Sequence, residues 1–203
     1  MPILKSLRAL SRITSFDHIS TTNRLVVSSM IYDTNFSLVD LNNTNVDDPE
    51  NIICAFSHED TPLKMALHLF LYLVIREIPP YSQLYLHLVQ RLCAAIELHG
   101  GGWWEATEER KIWLLWMLFM GGAAAAGEQE RWWFVIKMSI LCRELAIWSQ
   151  DDLKSTLKRV LWQDAWGDGH CASLWNDLGI VGERVGGSLN PHLLELRPRN
   201  LEI

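Results

Sequence analysis

Apolar residues recur at helical spacing through most of the chain. Leu63, Leu67, Phe70 and Val74 follow at intervals of 4, 3 and 4, which puts them on one face of a helix. Thr61-Pro62 supplies a cap followed by proline at the first helical position. Pro79-Pro80 pushes the residue before it out of the α region, so this helix is predicted to stop near Glu77. A second is predicted from about Ser82, with Tyr85, Leu88, Leu92 and Ile96 as its stripe and Gly100-Gly101-Gly102 as its end. A third runs from about Glu105 to Ala126. It is apolar all round between Ile112 and Met120, the mark of a central helix packed on several sides. Gly121-Gly122 is expected to break or bend it, because each glycine costs about 1 kcal/mol relative to alanine in a helix interior. A fourth spans about Glu128 to Ile147, with Phe134, Met138, Leu141, Leu145 and Trp148 as its stripe. Ser149 then offers an N-cap, and Asp152 three residues on complements the positive helix end. Leu153, Leu157 and Leu161 form the next stripe. Cys171 to Leu178 is predicted as a last short helix closed by Gly179.

Alternation typical of strands is almost absent. Leu25 to Tyr32 reads equally well as strand or helix, and Asp40 to Asn51 reads as a polar loop. The first dozen residues are basic, contain serines and have no acid before Asp17. They faintly resemble a transit peptide but fit a short amphipathic surface helix better. The predicted fold class is therefore all-α, a multi-helix bundle-like array belonging to a larger helical domain. Residues 1–60 are expected as a helical or loop segment, 61–178 as the helical core and 179–203 as an irregular tail, together one folding unit.

Charge narrows the functional classes. The chain of 203 residues has a net charge of −6, with residues 1–100 and 101–203 each at −3. Phosphate binding draws on clustered positive charge. No cluster exists, so direct nucleic-acid binding is not expected. Cys54, Cys93, Cys142 and Cys171 are too widely spaced for a zinc ribbon or a C-x-x-C redox site. Cys93 and Cys142 fit small core hydrophobes, and the usage fits a reducing compartment. Ile112 to Gly127 is sixteen residues without a charge. A membrane span needs about 20 apolar residues. Both flanks mix signs, which favours a buried helix over a membrane helix.

Chemistry-bearing motifs are few. His99-Gly100-Gly101-Gly102 looks like an esterase oxyanion loop, but no G-x-S-x-G nucleophile elbow accompanies it. His170-Cys171 is the one adjacent pair of soft ligands, and sequence neighbours do not build a tetrahedral site. His58-Glu59-Asp60 fits a polar cap region. Asp151-Asp152 and Glu108-Glu109 are carboxylate pairs in predicted first turns, where the helix dipole accounts for them. Asn35-Phe36-Ser37 and Asn42-Asn43-Thr44 match glycosylation acceptors by chance. All ten tryptophans lie between Trp103 and Trp175. A stacking platform for single strands would interleave them with basic residues, whereas Trp113 and Trp116 sit in an uncharged helix. Core packing is the simpler role, with Trp113, Trp116, Phe134 and Leu141 expected to be buried.

The middle of the chain carries a more specific signal. Arg76-Glu77-Ile78-Pro79-Pro80 precedes Glu109-Arg110-Lys111, Leu114-Leu115-Trp116, Leu118-Phe119-Met120-Gly121-Gly122 and Arg131-Trp132-Trp133-Phe134-Val135. Trp148 with Asp151-Asp152, Leu161-Trp162 and Leu174-Trp175 follow. Over residues 60–178 this resembles the fungal-specific transcription factor domain, the C-terminal regulatory region of fungal zinc-cluster transcription factors. The resemblance implies an all-α, nuclear, non-catalytic module that modulates transcription through protein partners. It departs from the family in one respect: the six-cysteine zinc cluster has no counterpart, since no cysteine precedes Cys54. No catalytic, cofactor-binding or metal-ligating residue is assigned, and any small-molecule effector stays unidentified. The alternatives are a helical enzyme with His68 or His87 as general base, a truncated or degenerate copy without activity, and a membrane-associated protein resting on Ile112–Gly127.

Overall fold

A computed structural model describes residues 2–14, 21–40, 62–78, 83–99 and 107–185. These fold into α1 (Pro2–Thr14), α2 (Thr21–Asp40), α3 (Pro62–Phe70), α4 (Gln83–His99), α5 (Glu108–Ala124), α6 (Arg131–Glu144), α7 (Gln150–Lys158) and α8 (Asp164–Val185). No strand occurs among the described residues, so the all-α expectation holds. Leu25–Tyr32 lies inside α2 and is helical throughout.

The helix that carries the uncharged run from Ile112 sits at the centre, as the all-round apolarity of that run requires. α5 packs against α3, α4, α6, α7 and α8. Trp116, Phe119 and Phe134 are essentially inaccessible, and Leu141 is buried. Trp113 is only half-buried, packed against the core from its edge. The Trp116 indole N–H donates to the Leu161 carbonyl at 2.8 Å, which ties α5 to the turn between α7 and α8. Thr107 caps α5 by accepting from the Arg110 amide, and Ser149 caps α7 by accepting from the Asp152 amide. Thr61 lies outside the described residues.

Gly121 and Gly122 do not break the helix, which runs through them to Ala124. A methyl on Gly121 would overlap the Cε1, Cζ and Cδ1 atoms of Phe134, and one on Gly122 would stand 3.0 Å from Leu174. The two glycines let α6 and α8 approach the α5 backbone, and that contact offsets their poor helix propensity.

The helix that begins at Pro62 stops near Glu77 as expected, although by an unexpected route, and the ends of two other helices differ from the sequence expectation. α3 passes into a π-helical turn, Leu71–Ile75, before Glu77 turns with φ of 47°. α6 stops at Glu144 because Ala146 adopts φ of 52°. The Ile147 amide then donates to Cys142 and the Ala146 amide to Arg143, a Schellman closure without glycine. Trp148 lies beyond that turn and is exposed, so it leaves the stripe of Phe134, Met138 and Leu141. α8 starts at Asp164, well before Cys171, and continues through Gly179 to Val185. Gly179 does not take the positive φ of a helix-closing glycine, which among the described glycines belongs to Gly127.

α1 is a packed part of the body as well as an amphipathic helix. Leu7 and Leu10 are fully buried, each worth about 2 kcal/mol by apolar burial. The Arg8 guanidinium donates to the carbonyls of Arg159 and Val160, and the Ser11 hydroxyl donates to Trp162 O at 2.7 Å.

Candidate functional site

Among the described residues, those that chemistry singles out in the sequence form no group that could hold a metal ion. His68 lies on the buried face of α3, 8% exposed, whereas His87 on α4 is exposed. His68 Nδ1–H donates to the Lys64 carbonyl at 2.9 Å, and its ring leans on Tyr72 with centroids 6.0 Å apart. His170 packs against the Trp166 indole at 4.3 Å. Burial lowers the pKa of both His68 and His170, with nearby Arg131 adding to the shift at His170. Cys93, Cys142 and Cys171 are buried. Burial pushes Cys142 up to about 12 and Cys171 up to about 11, so both stay protonated thiols without nucleophilic character. Asp151 and Asp152 lie exposed in the first turn of α7, as does Glu108 in the first turn of α5. His58, His99 with its glycines, Trp103, Trp104 and Cys54 fall outside the residues whose side chains are described. No group of three or more His, Cys, Asp or Glu among the described residues could hold a metal ion.

The neutral histidines have a consequence for stability. A folded pKa below the ordinary 6.5 means that the unfolded chain binds more protons in the window just below that value. Stability then falls as pH drops through the window. The urea midpoint is expected to be lower at about pH 5.5 than at about pH 7, and His68→Gln should reduce the slope. A midpoint unchanged or raised on acidification would contradict the burial of these groups.

The structure does place a mixed polar and apolar set elsewhere. Ser28, Ile31, Tyr32 and Asn35 follow at intervals of 3, 1 and 3, which gathers them on one side of α2. That side meets the π-helical turn after α3. Between them lies a half-open cavity of about 330 Å³, lined by those four residues with Ile75 and Arg76. Inserted π turns are frequent at functional sites, because the extra residue re-aims the side chains that follow. Here the Arg76 amide closes onto Leu71 O at 2.9 Å and the Ile78 amide onto Tyr72 O at 3.0 Å. Tyr85, almost fully buried, donates its hydroxyl to Ile78 O at 2.8 Å and pins the end of the segment. Burial pushes the Tyr85 phenol up to about 12. The Tyr72 hydroxyl donates to Asn35 Oδ1 at 3.3 Å and bridges the two walls. The Arg76 guanidinium stands 5.7 Å from the centre of the Tyr72 ring, within cation–π range.

This site escapes sequence reading. Arg76 stands out only through the family resemblance, and Asn35 only as part of a chance sequon. α2 gives no clean stripe: Leu25, Val26, Tyr32 and Phe36 are exposed while Thr34 is buried. The one signal available was polar residues at helical spacing in a segment equally readable as strand.

No helix among the described residues is long and apolar enough to cross a membrane. No curated protein and no solved structure matches the chain. A family model, that of the fungal specific transcription factor domain, matches residues 17–178, which takes in all of α3 to α7, all of α2 and most of α8. With that span covered, and with the helical architecture the resemblance implies, the chain belongs to the fungal specific transcription factor domain family.

Proposed function

We propose that the chain is a non-catalytic regulatory module that modulates transcription in the nucleus through contacts with a protein partner. The observation that carries this reading is the family match over residues 17–178. Two features support it. Of the two candidates for a general base, His68 is occupied as a buried core group bonded to its own helix backbone, and His87 is exposed on α4. The net charge of −6 is divided equally between the two halves of the sequence, without the clustered positive charge on which phosphate binding draws. Contact with DNA then belongs to another polypeptide or segment, and this body supplies the control.

The test is a fusion of the full chain to a heterologous DNA-binding domain in a fungal reporter strain. Reporter output is expected to differ several-fold from that of the DNA-binding domain alone, in either direction. A fluorescently tagged chain should concentrate in the nucleus. Output identical to the control at matched protein level would remove the regulatory reading.

A further inference from the structure

The cavity between α2 and the π-helical turn has the size and the wall chemistry of a small-molecule site. Its volume of about 330 Å³ is at the lower end of ligand pockets, which run from about 300 to 1,000 Å³. The walls are sorted by chemistry. Ile31 and Ile75 supply an apolar surface, and Ser28, Tyr32 and Asn35 supply polar groups. Asn35 spends its amide oxygen on the Tyr72 hydroxyl, which turns its NH₂ into the group left to donate. The charge in the lining is the Arg76 guanidinium. Among the described residues it makes no ion pair, and the contact it has is with the face of Tyr72. An arginine held against an aromatic ring keeps its planar fork free for a carboxylate, which it meets with two parallel hydrogen bonds.

We infer that this cavity binds a small monocarboxylate with an apolar hydrocarbon body, its carboxylate on Arg76 and Asn35 and its hydrocarbon against Ile31 and Ile75. Carboxylate is favoured over phosphate for two reasons. Among the described lining residues one carries a positive charge, which suits a single negative charge. The isoleucine walls would be left facing water by a compact, fully hydrated anion. The two walls come from elements joined across the cavity by the Tyr72–Asn35 bond, so a ligand there would fix α2 relative to the end of α3. The inference concerns binding by the isolated chain and stands apart from the regulatory reading.

The test uses purified full-length chain and 4-methylpentanoate, with 4-methylpentanamide and inorganic phosphate as comparisons, read by calorimetry and by isoleucine methyl NMR. The carboxylate is expected to bind in the millimolar range or tighter and to shift the Ile31 and Ile75 methyl signals. The amide and phosphate should each bind at least about tenfold more weakly. Arg76→Gln should lose the same factor while keeping the thermal midpoint, since the side chain is exposed. Asn35→Asp, which puts a like charge beside the ligand, should abolish binding. The inference is overturned by no binding of the carboxylate, by equal binding of amide or phosphate, by undiminished binding to the Arg76→Gln protein, or by methyl shifts confined to other isoleucines.

Discussion

Alanine at Gly121 is expected to destabilise the protein by about 2–3 kcal/mol, although alanine is the better helix former. The added methyl would fall inside the ring of Phe134, which is fully buried and cannot swing into solvent. Trp133 stands edge-on to that ring at 4.9 Å, so the ring is confined on a second side. Overpacking must therefore be relieved by moving α6 away from α5, the most extensive helix pairing around the central helix. Gly169 gives the opposite control. It lies in α8, and a methyl added there would have nothing within 4 Å. Gly169→Ala should raise stability by about 0.5–1 kcal/mol from backbone entropy alone. Urea midpoints of the two variants should move in opposite directions, and Phe134→Leu should recover part of the Gly121→Ala loss. Two midpoints moving the same way would refute the close α5–α6 approach.

Arg131→Met is expected to cost about 3 kcal/mol and to lower the thermal midpoint by roughly 6–12 °C. Arg131 begins α6 and reaches three partners at once: Gly122 O at 2.9 Å, Ser173 Oγ at 2.8 Å and Asp177 Oδ2 at 2.7 Å. The first is the end of α5, and the other two are on α8. Its side chain is 12% exposed and that of Asp177 is 22% exposed, so the pair is screened far less than a surface ion pair. Removing the guanidinium strands a carboxylate and a helix-end carbonyl together. Lysine keeps the charge but not the fork, and cannot serve three acceptors in different directions. Arg131→Lys should therefore retain most of the loss. A loss under about 1 kcal/mol would place the interaction with ordinary surface pairs and overturn its role as the joint of three helices.

Helical periodicity carried the middle of the fold. The stripes of α3, α4 and α7 are buried where spacing put them, and the charge-free run became the central helix. In α4 and α7 the stripe is legible because it separates a buried side from exposed positions, whereas α3 is buried on every side and shows its stripe only as the apolar part of a fully enclosed helix. The misreadings share a cause, which is backbone behaviour decided by tertiary contacts. Glycines at 121 and 122 look like breaks in sequence, yet close contacts with Phe134 and Leu174 keep them helical. At Gly167 a methyl would stand 2.6 Å from the Trp162 indole, so this glycine is a close-approach site within α8. The end of α6 was hidden for the reverse reason, since alanine takes the left-handed position that glycine usually marks. The candidate site was illegible because it needs α2 as a helix and the π turn, and neither has a local sequence signature.

The grip of α1 on the far end of the chain bears on the order of folding. Arg8 and Ser11 find their carbonyl partners about 150 residues later, at Arg159, Val160 and Trp162. Contacts so distant in sequence close late, because the loop entropy is spent before they reward it. At roughly 5–20 residues per second, α1 would leave the ribosome about 8–30 s before those carbonyls exist. Throughout that interval Arg8 and Ser11 lack their final hydrogen-bond acceptors, although α2 and the π-helical turn, the main packing partners of α1, emerge much earlier. The first helix is thus expected to dock early on α2 and the π-helical turn and to be locked in place only once the turn after α7 has emerged.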